Sequence, residues 1–146
     1  MTIRPPAVPL AEASLADFPW HTQERVRYSD TDRQGHVNNV AYCTMLEAAR
    51  VELLLAPHPP LVDAGCSVVI AQLTVNYLAE MTWPGAVDIG TRVAALGRSS
   101  VTLEHALFQN GRRSATSTSV IVQVNDQTHR SQAFAEHTRR ALEALS

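Results

Sequence analysis

Polar side chains that could perform chemistry are concentrated between residues 28 and 42. The stretch holds two carboxylates, Asp30 and Asp32, then Gly35, His36 and two asparagines, directly before an apolar segment of helical length. The first backbone N–H groups of a helix lack internal partners and can donate to a developing oxyanion. A carboxylate on the preceding loop can attack a carbonyl or activate water. The same residues also suit ordinary turn and capping roles, so residue types alone leave both interpretations open.

The composition excludes several other mechanisms. All 12 basic residues are arginine, and the absence of lysine removes a P-loop lysine, a Schiff base and a lysine general base. A formal net charge of −2 without a dense basic cluster argues against a nucleic-acid partner. The six histidines show no paired metal-ligand spacing and no G-x-S-x-G string occurs. We therefore expect no metal, no cofactor and no serine nucleophile.

The candidate residues are predicted to lie between a strand and a long helix. Alternating side chains predict a strand over residues 21–29. Helical spacing, with the two asparagines as caps, predicts a helix over residues 40–55 that ends before a proline. Apolar residues cover most of its circumference, so we expect the helix to be buried. Glu47 and Arg50 stand three residues apart and are expected to pair on one face.

The remainder of the chain shows a period of two, followed by a closing amphipathic helix. Turn residues separate the strands, and Asn110-Gly111 is a strong hairpin signal because both positions favour positive φ. The predicted strands and last helix cover residues 67–77, 87–96, 101–107, 115–124 and 134–145. The order predicts the α+β class, with an antiparallel sheet wrapped around a central helix.

The beginning of the chain is predicted to differ from the rest. Proline punctuation and the absence of an apolar period predict a flexible leader over residues 1–19 and one domain over residues 20–146. The leader has no long apolar core, so we expect neither a signal peptide nor a membrane partner, and a cytoplasmic location. Cys43 and Cys66 lie in apolar surroundings and are expected to pack as small hydrophobic residues.

Several segments of this chain together resemble one family, the hotdog-fold acyl-CoA thioesterases of the 4-hydroxybenzoyl-CoA thioesterase group. The string D-x-D-x-x-G-H-V-N-N-x-x-Y is the most specific part. The matching segments are residues 25–32, 35–42, 47–52, 97–104 and 120–125. The resemblance implies a curved antiparallel sheet around a long central helix. It also implies a homodimer or homotetramer in which sheets pair edge to edge, with active sites at the dimer interface.

The resemblance also implies roles for individual residues. Asp32 corresponds to the catalytic carboxylate, which either attacks the thioester carbonyl or activates water. Asn39 corresponds to the position whose backbone N–H faces the substrate carbonyl oxygen. The H-V-N-N string is closer to fatty-acyl thioesterases, including the plant acyl-carrier-protein type, in which the histidine and asparagine have roles. His36 is therefore expected either to position water or substrate, or to hydrogen-bond within the turn, whereas Asp30 is assigned to the turn.

The predicted function is hydrolysis of a fatty or aryl acyl-CoA thioester to free acid and CoA. The alternatives are a non-catalytic hotdog module that binds or senses acyl thioesters, an acyl-carrier-protein thioesterase, and a hotdog hydratase. Because the chain lacks lysine, CoA phosphates would be held by arginine or backbone amides. The residues expected to contact substrate are Gly35, Val37, Asn38, Tyr42, Arg98, Ser99, Arg112 and Arg113.

Overall fold

Five strands and two α-helices make up the computed structural model, which describes residues 6–146. The strands are β1 (Trp20–Arg25), β2 (Cys66–Tyr77), β3 (Ala86–Leu96), β4 (Ser100–Gln109) and β5 (Arg112–Asn125), and the helices are α1 (Asn39–Leu55) and α2 (Glu136–Glu143). All strand pairs are antiparallel, in the order β1-β3-β4-β5-β2. The predicted α+β hotdog architecture, an antiparallel sheet with a long central helix, is confirmed.

Helix α1 packs one side against the sheet. Its buried residues recur every three or four positions, so they form one stripe: Tyr42, Met45, Leu46, Ala49, Arg50, Leu53 and Leu54. The opposing side chains alternate along the strands, for example Val87, Ile89 and Val93 on β3. The other side of α1 is open, where Val40 is 65% exposed and Val51 49%. The expectation that the helix is buried nearly all round was therefore wrong for this side.

Residues 6–19 lie against the opposite face of the sheet. One apolar cluster joins this segment to β4, through Ala13, Phe18, Ala106 and Phe108. The Phe18 ring occupies the position where a Cβ on Gly90 would stand, 2.5 Å from the ring atoms, so only glycine fits there. The guanidinium of Arg92 donates to the carbonyl of Val8. Residues 6–19, which were expected to belong to a flexible leader, thus make these contacts with the sheet, and residues 1–5 lie outside the described part of the chain.

The chain turns earlier after β1 than the alternation predicted. The strand ends at Arg25, and Tyr28–Asp30 forms a single 3₁₀ turn. The Asp30 carboxylate accepts hydrogen bonds from the backbone N–H and the guanidinium of Arg27, which holds the turn closed. Tyr28 is 73% exposed rather than sharing the core face. Within residues 6–146, no helix is long and apolar enough to cross a membrane.

Candidate active site

A tight turn presents the carboxylate of Asp32. The backbone N–H of Gly35 donates to the Asp32 carbonyl at 2.9 Å, and the Asp32 N–H donates to the His36 carbonyl at 3.0 Å. Gly35 has a φ of 80°, a left-handed conformation that glycine adopts without strain. The Gln34 N–H donates to Asp32 Oδ1 at 2.9 Å. The second oxygen, Oδ2, has no hydrogen-bond partner among the residues that the structure describes, so it is available to a ligand.

The N-terminus of α1 leaves one backbone donor open. Asn38 is the N-cap, in an extended conformation, and its Oδ1 accepts from the Val40 N–H at 2.9 Å. The Ala41 N–H donates to the Asn38 carbonyl. The Asn39 N–H, between these two, has no acceptor within residues 6–146. The backbone group assigned to the substrate carbonyl is therefore free to donate.

Both groups line the same open cleft, which has a volume of about 430 Å³. The cleft lies between the first turn of α1, the end of β2 and the loop that follows β2. Its lining residues are Asp32, Gln34, His36, Val37, Asn39, Tyr42, Tyr77, Leu78, Ala79 and Glu80. The structure therefore brings together the three residues predicted to be catalytic, which are Asp32, His36 and Asn39.

Tyr42 and Tyr77 form the inner wall of the cleft. Their rings meet edge to face, with centroids 5.0 Å apart. The Tyr42 hydroxyl donates to the Ala79 carbonyl, and the Tyr77 hydroxyl donates to the Asn39 carbonyl, both at 3.1 Å. Burial raises the pKa of Tyr42, so this hydroxyl stays protonated at neutral pH and keeps its donor role. The tyrosine pair thus ties the loop after β2 to the first turn of α1.

His36 faces an acid that the sequence did not suggest. Its Nε2 lies 3.1 Å from Glu80 Oε2, and its backbone bridges to Thr82. The His36 carbonyl also accepts the Asp32 N–H, so the residue takes part in the turn and borders the cleft. Neither Tyr77 nor Glu80 belongs to a motif, and both reach the cleft only because β2 ends beside α1.

The other predicted substrate contacts divide into two groups. Gly35, Val37 and Asn38 shape the loop, and Val37 is 5% exposed with its N–H bonded to the Met81 carbonyl. By contrast Arg98 and Ser99 follow β3, at the end of the sheet where Val101 pairs with Ile121. The cleft is at the other end, where Tyr77 pairs with Ala115. Within this chain these two residues therefore lie away from Asp32.

The arginine pair at the start of β5 is also outside the cleft. Arg113 donates to the carbonyls of Ala11 and Ala13, so this guanidinium holds the N-terminal segment on the sheet and is not free for phosphate. Arg112 is exposed beside the hairpin turn. Among residues 6–146, no three His, Cys, Asp or Glu side chains lie close enough together to bind one metal ion.

Comparison with known proteins gives consistent matches. Residues 26–142 match the Thioesterase-like superfamily. The crystal structure of the PA5185 protein from Pseudomonas aeruginosa strain PAO1 is 31% identical, with a TM-score of 0.79, and the match covers 88% of this chain and 92% of that one. A protein described as a predicted thioesterase, from Bacillus stearothermophilus, is 29% identical with a TM-score of 0.79, covering 86% and 95% of the two chains.

A third similar structure carries a ligand. It is a thioesterase complexed with coenzyme A and Zn, from Thermus thermophilus, which is 28% identical with a TM-score of 0.75, and the match covers 86% of this chain and 98% of that one. The superfamily match spans most of the chain, and the similar structures share its sheet and central helix. This chain therefore belongs to the Thioesterase-like superfamily and is a hotdog-fold thioester hydrolase.

Proposed function

We propose that this protein hydrolyses acyl-CoA thioesters to a free acid and CoA, with Asp32 as the reacting carboxylate and the Asn39 N–H as the oxyanion donor. One observation carries the proposal: a carboxylate oxygen and a backbone N–H, both without partners in the described residues, line the same cleft. The CoA bound to the Thermus thermophilus thioesterase supports CoA as the thiol. The motif over residues 30–42 supports the 4-hydroxybenzoyl-CoA thioesterase group.

Two routes use these groups. In the first, Asp32 takes a proton from water as the water oxygen adds to the thioester carbonyl carbon, and the Asn39 N–H donates to the resulting oxyanion. The tetrahedral intermediate then collapses, the C–S bond breaks, and the sulfur leaves with the proton returned from Asp32. In the second, an oxygen of Asp32 adds to the same carbon, CoA leaves as the thiolate, and water hydrolyses the anhydride.

The surroundings of the cleft suggest a role for His36. Its ring faces Glu80 at 3.1 Å, so the acid can hold the imidazole toward the cleft. An imidazole in this place can position the attacking water or the carbonyl. We propose this positioning role, together with a path for the acyl group along the open side of α1 past Val40.

We also propose that two copies of the chain pair through β2. This strand is one of the two edges of the sheet, and its outer side is unpaired within residues 6–146. It is twelve residues long, with Val69 47% exposed and Ile70 49% exposed. A long apolar edge strand is a template for pairing with another strand. Its pairing with a second copy would place the open side of α1 near the interface.

Release of free thiol from a panel of acyl-CoAs tests the proposal. We expect wild type to hydrolyse at least one member and Asp32→Asn to lose about a hundredfold or more of kcat. Asp88→Asn is the matched control, because within residues 6–146 the Asp88 side chain bonds only to Gln23, across β1 and β3, so the activity of this variant should match wild type. Unchanged hydrolysis by Asp32→Asn would refute the assignment. Binding without turnover of any acyl-CoA would instead favour the sensing module.

A single-turnover reaction in oxygen-18 water separates the two routes. The nucleophilic route leaves label in the Asp32 carboxylate when water attacks the anhydride at the aspartyl carbon, and mass spectrometry of the peptide that contains Asp32 detects it. The water-activating route places label only in the released acid.

A further inference from the structure

A second cavity lies at the far end of the groove between α1 and β2. It has a volume of about 210 Å³. Its walls are mainly apolar, and its lining residues are Glu47, Arg50, Val51, Leu54, Leu55, Val68, Val69, Ile70 and Ile121. The cleft at Asp32 lies beside the start of α1 and the end of β2, and this cavity lies beside the second half of α1 and the start of β2. Both sites therefore lie on the strip between this helix and this strand, which is called the groove below.

Two charged side chains, Glu47 and Arg50, line this mainly apolar cavity, and only Arg50 is buried. Arg50 is 7% exposed, and its Nη1 is fully buried without a hydrogen-bond partner in the part of the chain that is described. The other buried arginine, Arg92, is 3% exposed and is fully engaged: it pairs with Glu104 at 2.8 Å and stacks on the Phe18 ring. A buried guanidinium normally has such partners, because an unpaired buried charge is costly.

Among the described residues, no acidic side chain forms an ion pair with Arg50. Glu47, which was expected to pair with it, forms no ion pair with Arg50 among the described residues and is exposed at the cavity. On the sheet side, His105 of β4 faces α1, and it stands opposite Thr91 on β3 and Ser117 on β5. His105 is fully buried, and desolvation together with the charge of Arg50 lowers its pKa to about 3, so the ring is neutral.

Several polar atoms in this region lack partners as well. Within residues 6–146 these are His105 Nε2, Ser117 Oγ and Ser119 Oγ, all on the sheet face toward α1. Burial lowers the pKa of Arg50, while the Glu47 charge opposes that effect, so the guanidinium remains protonated at neutral pH. The far end of the groove therefore holds one buried cation with unused donors and an apolar entrance.

We propose that this cavity binds the far end of the acyl group, and that Arg50 selects acyl groups that end in a carboxylate. This inference rests on the proposed function, because it makes the cavity part of the same substrate groove. The planar guanidinium matches a carboxylate through two parallel hydrogen bonds, and the apolar walls bind the methylene chain leading to it. The substrate class is thus the monothioesters of straight-chain dicarboxylic acids.

The distance along α1 between Asn39 and Arg50 sets the length of the acyl chain that fits. Arg50 is eleven positions beyond Asn39, which at about 1.5 Å per residue separates the two levels by about 16 Å. An arginine side chain on a helix leans toward the N-terminus and shortens this distance. With carbon–carbon bonds of about 1.5 Å, the span suits an acyl chain of about eight to twelve carbons.

Three CoA thioesters of equal length test the inference: those of decanoate, 10-hydroxydecanoate and decanedioate. We expect wild type to show a kcat/KM for the decanedioate monothioester about tenfold or more above that for decanoyl-CoA, with the hydroxyl compound between them. In Arg50→Met this ratio should fall about tenfold. In Glu47→Gln the ratio should rise, because the substitution removes a negative charge that repels the terminal carboxylate of the substrate. Glu52→Gln is the control, since Glu52 is exposed and outside the cavity, and its ratio should equal that of wild type.

Calorimetric titration with two methyl esters keeps the test independent of turnover, because the ester stands for the thioester end and the ligands differ only at the far end. Monomethyl decanedioate should bind wild type about tenfold more tightly than methyl decanoate, and Arg50→Met should abolish the difference. Hydrolysis of none of the three thioesters would refute the proposed function, and the titration would still decide the role of the cavity. Equal kcat/KM values together with equal affinities for the two esters would overturn the inference, as would a parallel loss for all substrates in Arg50→Met.

Discussion

Two aspartates flank α1, Asp32 before its first turn and Asp63 after its last, and their surroundings differ sharply. Asp32 borders an open cleft, and among residues 6–146 only one of its carboxylate oxygens is bonded, to a backbone N–H of its own turn. Asp63 is 8% exposed and accepts from the Thr138 hydroxyl, the Ala135 N–H and the Gln123 amide. A carboxylate with both oxygens occupied holds structure together, whereas one with a free oxygen can react with a ligand.

The pKa of Asp63 reflects this engagement. Desolvation by burial raises it, but the hydrogen bonds from Thr138, Ala135 and Gln123 together outweigh that effect and lower the pKa below its ordinary value of 3.8. These bonds tie the segment before α2 to β5 and to the loop after α1. The Asp63 carboxylate therefore joins elements that are distant in sequence.

The largest effect is expected from a substitution that removes the Asn39 N–H at the start of α1 and leaves Asp32 unchanged. Proline at position 39 removes the N–H that has no acceptor within residues 6–146, and proline is well tolerated at the first helical position. The preceding Asn38 has φ −62° and ψ 142°, a conformation compatible with a following proline. We expect Asn39→Pro to lower kcat by about 100- to 1000-fold in the thiol-release assay.

Asn39→Ala is the matched control for that substitution, because it removes the side chain and keeps the backbone donor. Its kcat should stay within about threefold of wild type. Equal losses in the two variants would mean that the side chain, and not the backbone N–H, acts on the substrate. Circular dichroism should show that both variants keep the helix.

The next largest effect is on the free energy of unfolding, through Asp63. Asp63→Asn replaces an acceptor oxygen by an NH₂ group that faces donors, so we expect a loss of about 2 kcal/mol in the free energy of unfolding at neutral pH. Asp32→Asn should change that free energy by less than about 0.5 kcal/mol, because its turn keeps an acceptor. Urea unfolding at one fixed protein concentration measures both. A larger loss in Asp32→Asn than in Asp63→Asn would reverse the comparison.

The pH dependence of stability provides a second measurement on Asp63. Its folded pKa is depressed, so its stabilising contribution is fully present above the unfolded pKa of about 3.8 and is lost as the pH falls through the folded pKa. We expect the difference in unfolding free energy between wild type and Asp63→Asn to be constant near neutral pH and to shrink below about pH 3.8. A difference that persists in stronger acid would contradict this.

A smaller effect of opposite sign is expected at Arg50, which is buried like Asp63 but whose Nη1 has no hydrogen-bond partner within the described residues. Arg50→Met removes an uncompensated charge and retains an apolar side chain of similar length, so we expect the free energy of unfolding to rise by about 1 kcal/mol. Urea unfolding without ligand measures it. A loss of more than about 1 kcal/mol would show that Arg50 holds the core together and would weaken its assignment to a ligand.

An effect of similar size but opposite sign is expected from loss of the cap at the start of α1. Asn38→Ala removes the acceptor for the Val40 N–H, and we expect a loss of about 1 kcal/mol in unfolding free energy, with a fall in kcat as the first turn frays. Asn38→Ser keeps a capping oxygen and should recover most of both. No difference between alanine and serine at this position would show that the cap contributes nothing.

Local patterns in the sequence predicted most of the elements and part of the site. The alternation of β2 to β5, the apolar stripe of α1 and the Asn110-Gly111 hairpin are properties of neighbouring residues, and the structure has them. The clustering of Asp32, His36 and Asn39 was also predictable, because all three lie within eight residues at one helix start. Their chemical roles stay predictions that the substitutions above can decide.

Contacts between distant segments were not predictable. Tyr77 and Glu80 enter the cleft only because the end of β2 lies beside the start of α1. Arg98, expected to contact substrate, lies at the other end of the sheet, since strand direction and register decide which turn meets which helix end.

The sequence by itself determined the helix start with its preceding carboxylate, because capping, turn formation and side-chain periodicity depend on residues a few positions apart. Only the tertiary structure decided which polar groups are left without partners. Burial and pairing depend on every element that packs around a side chain. The sequence therefore could not show that Arg92 donates to a carbonyl 84 positions away, while Arg50 Nη1 has no partner among residues 6–146.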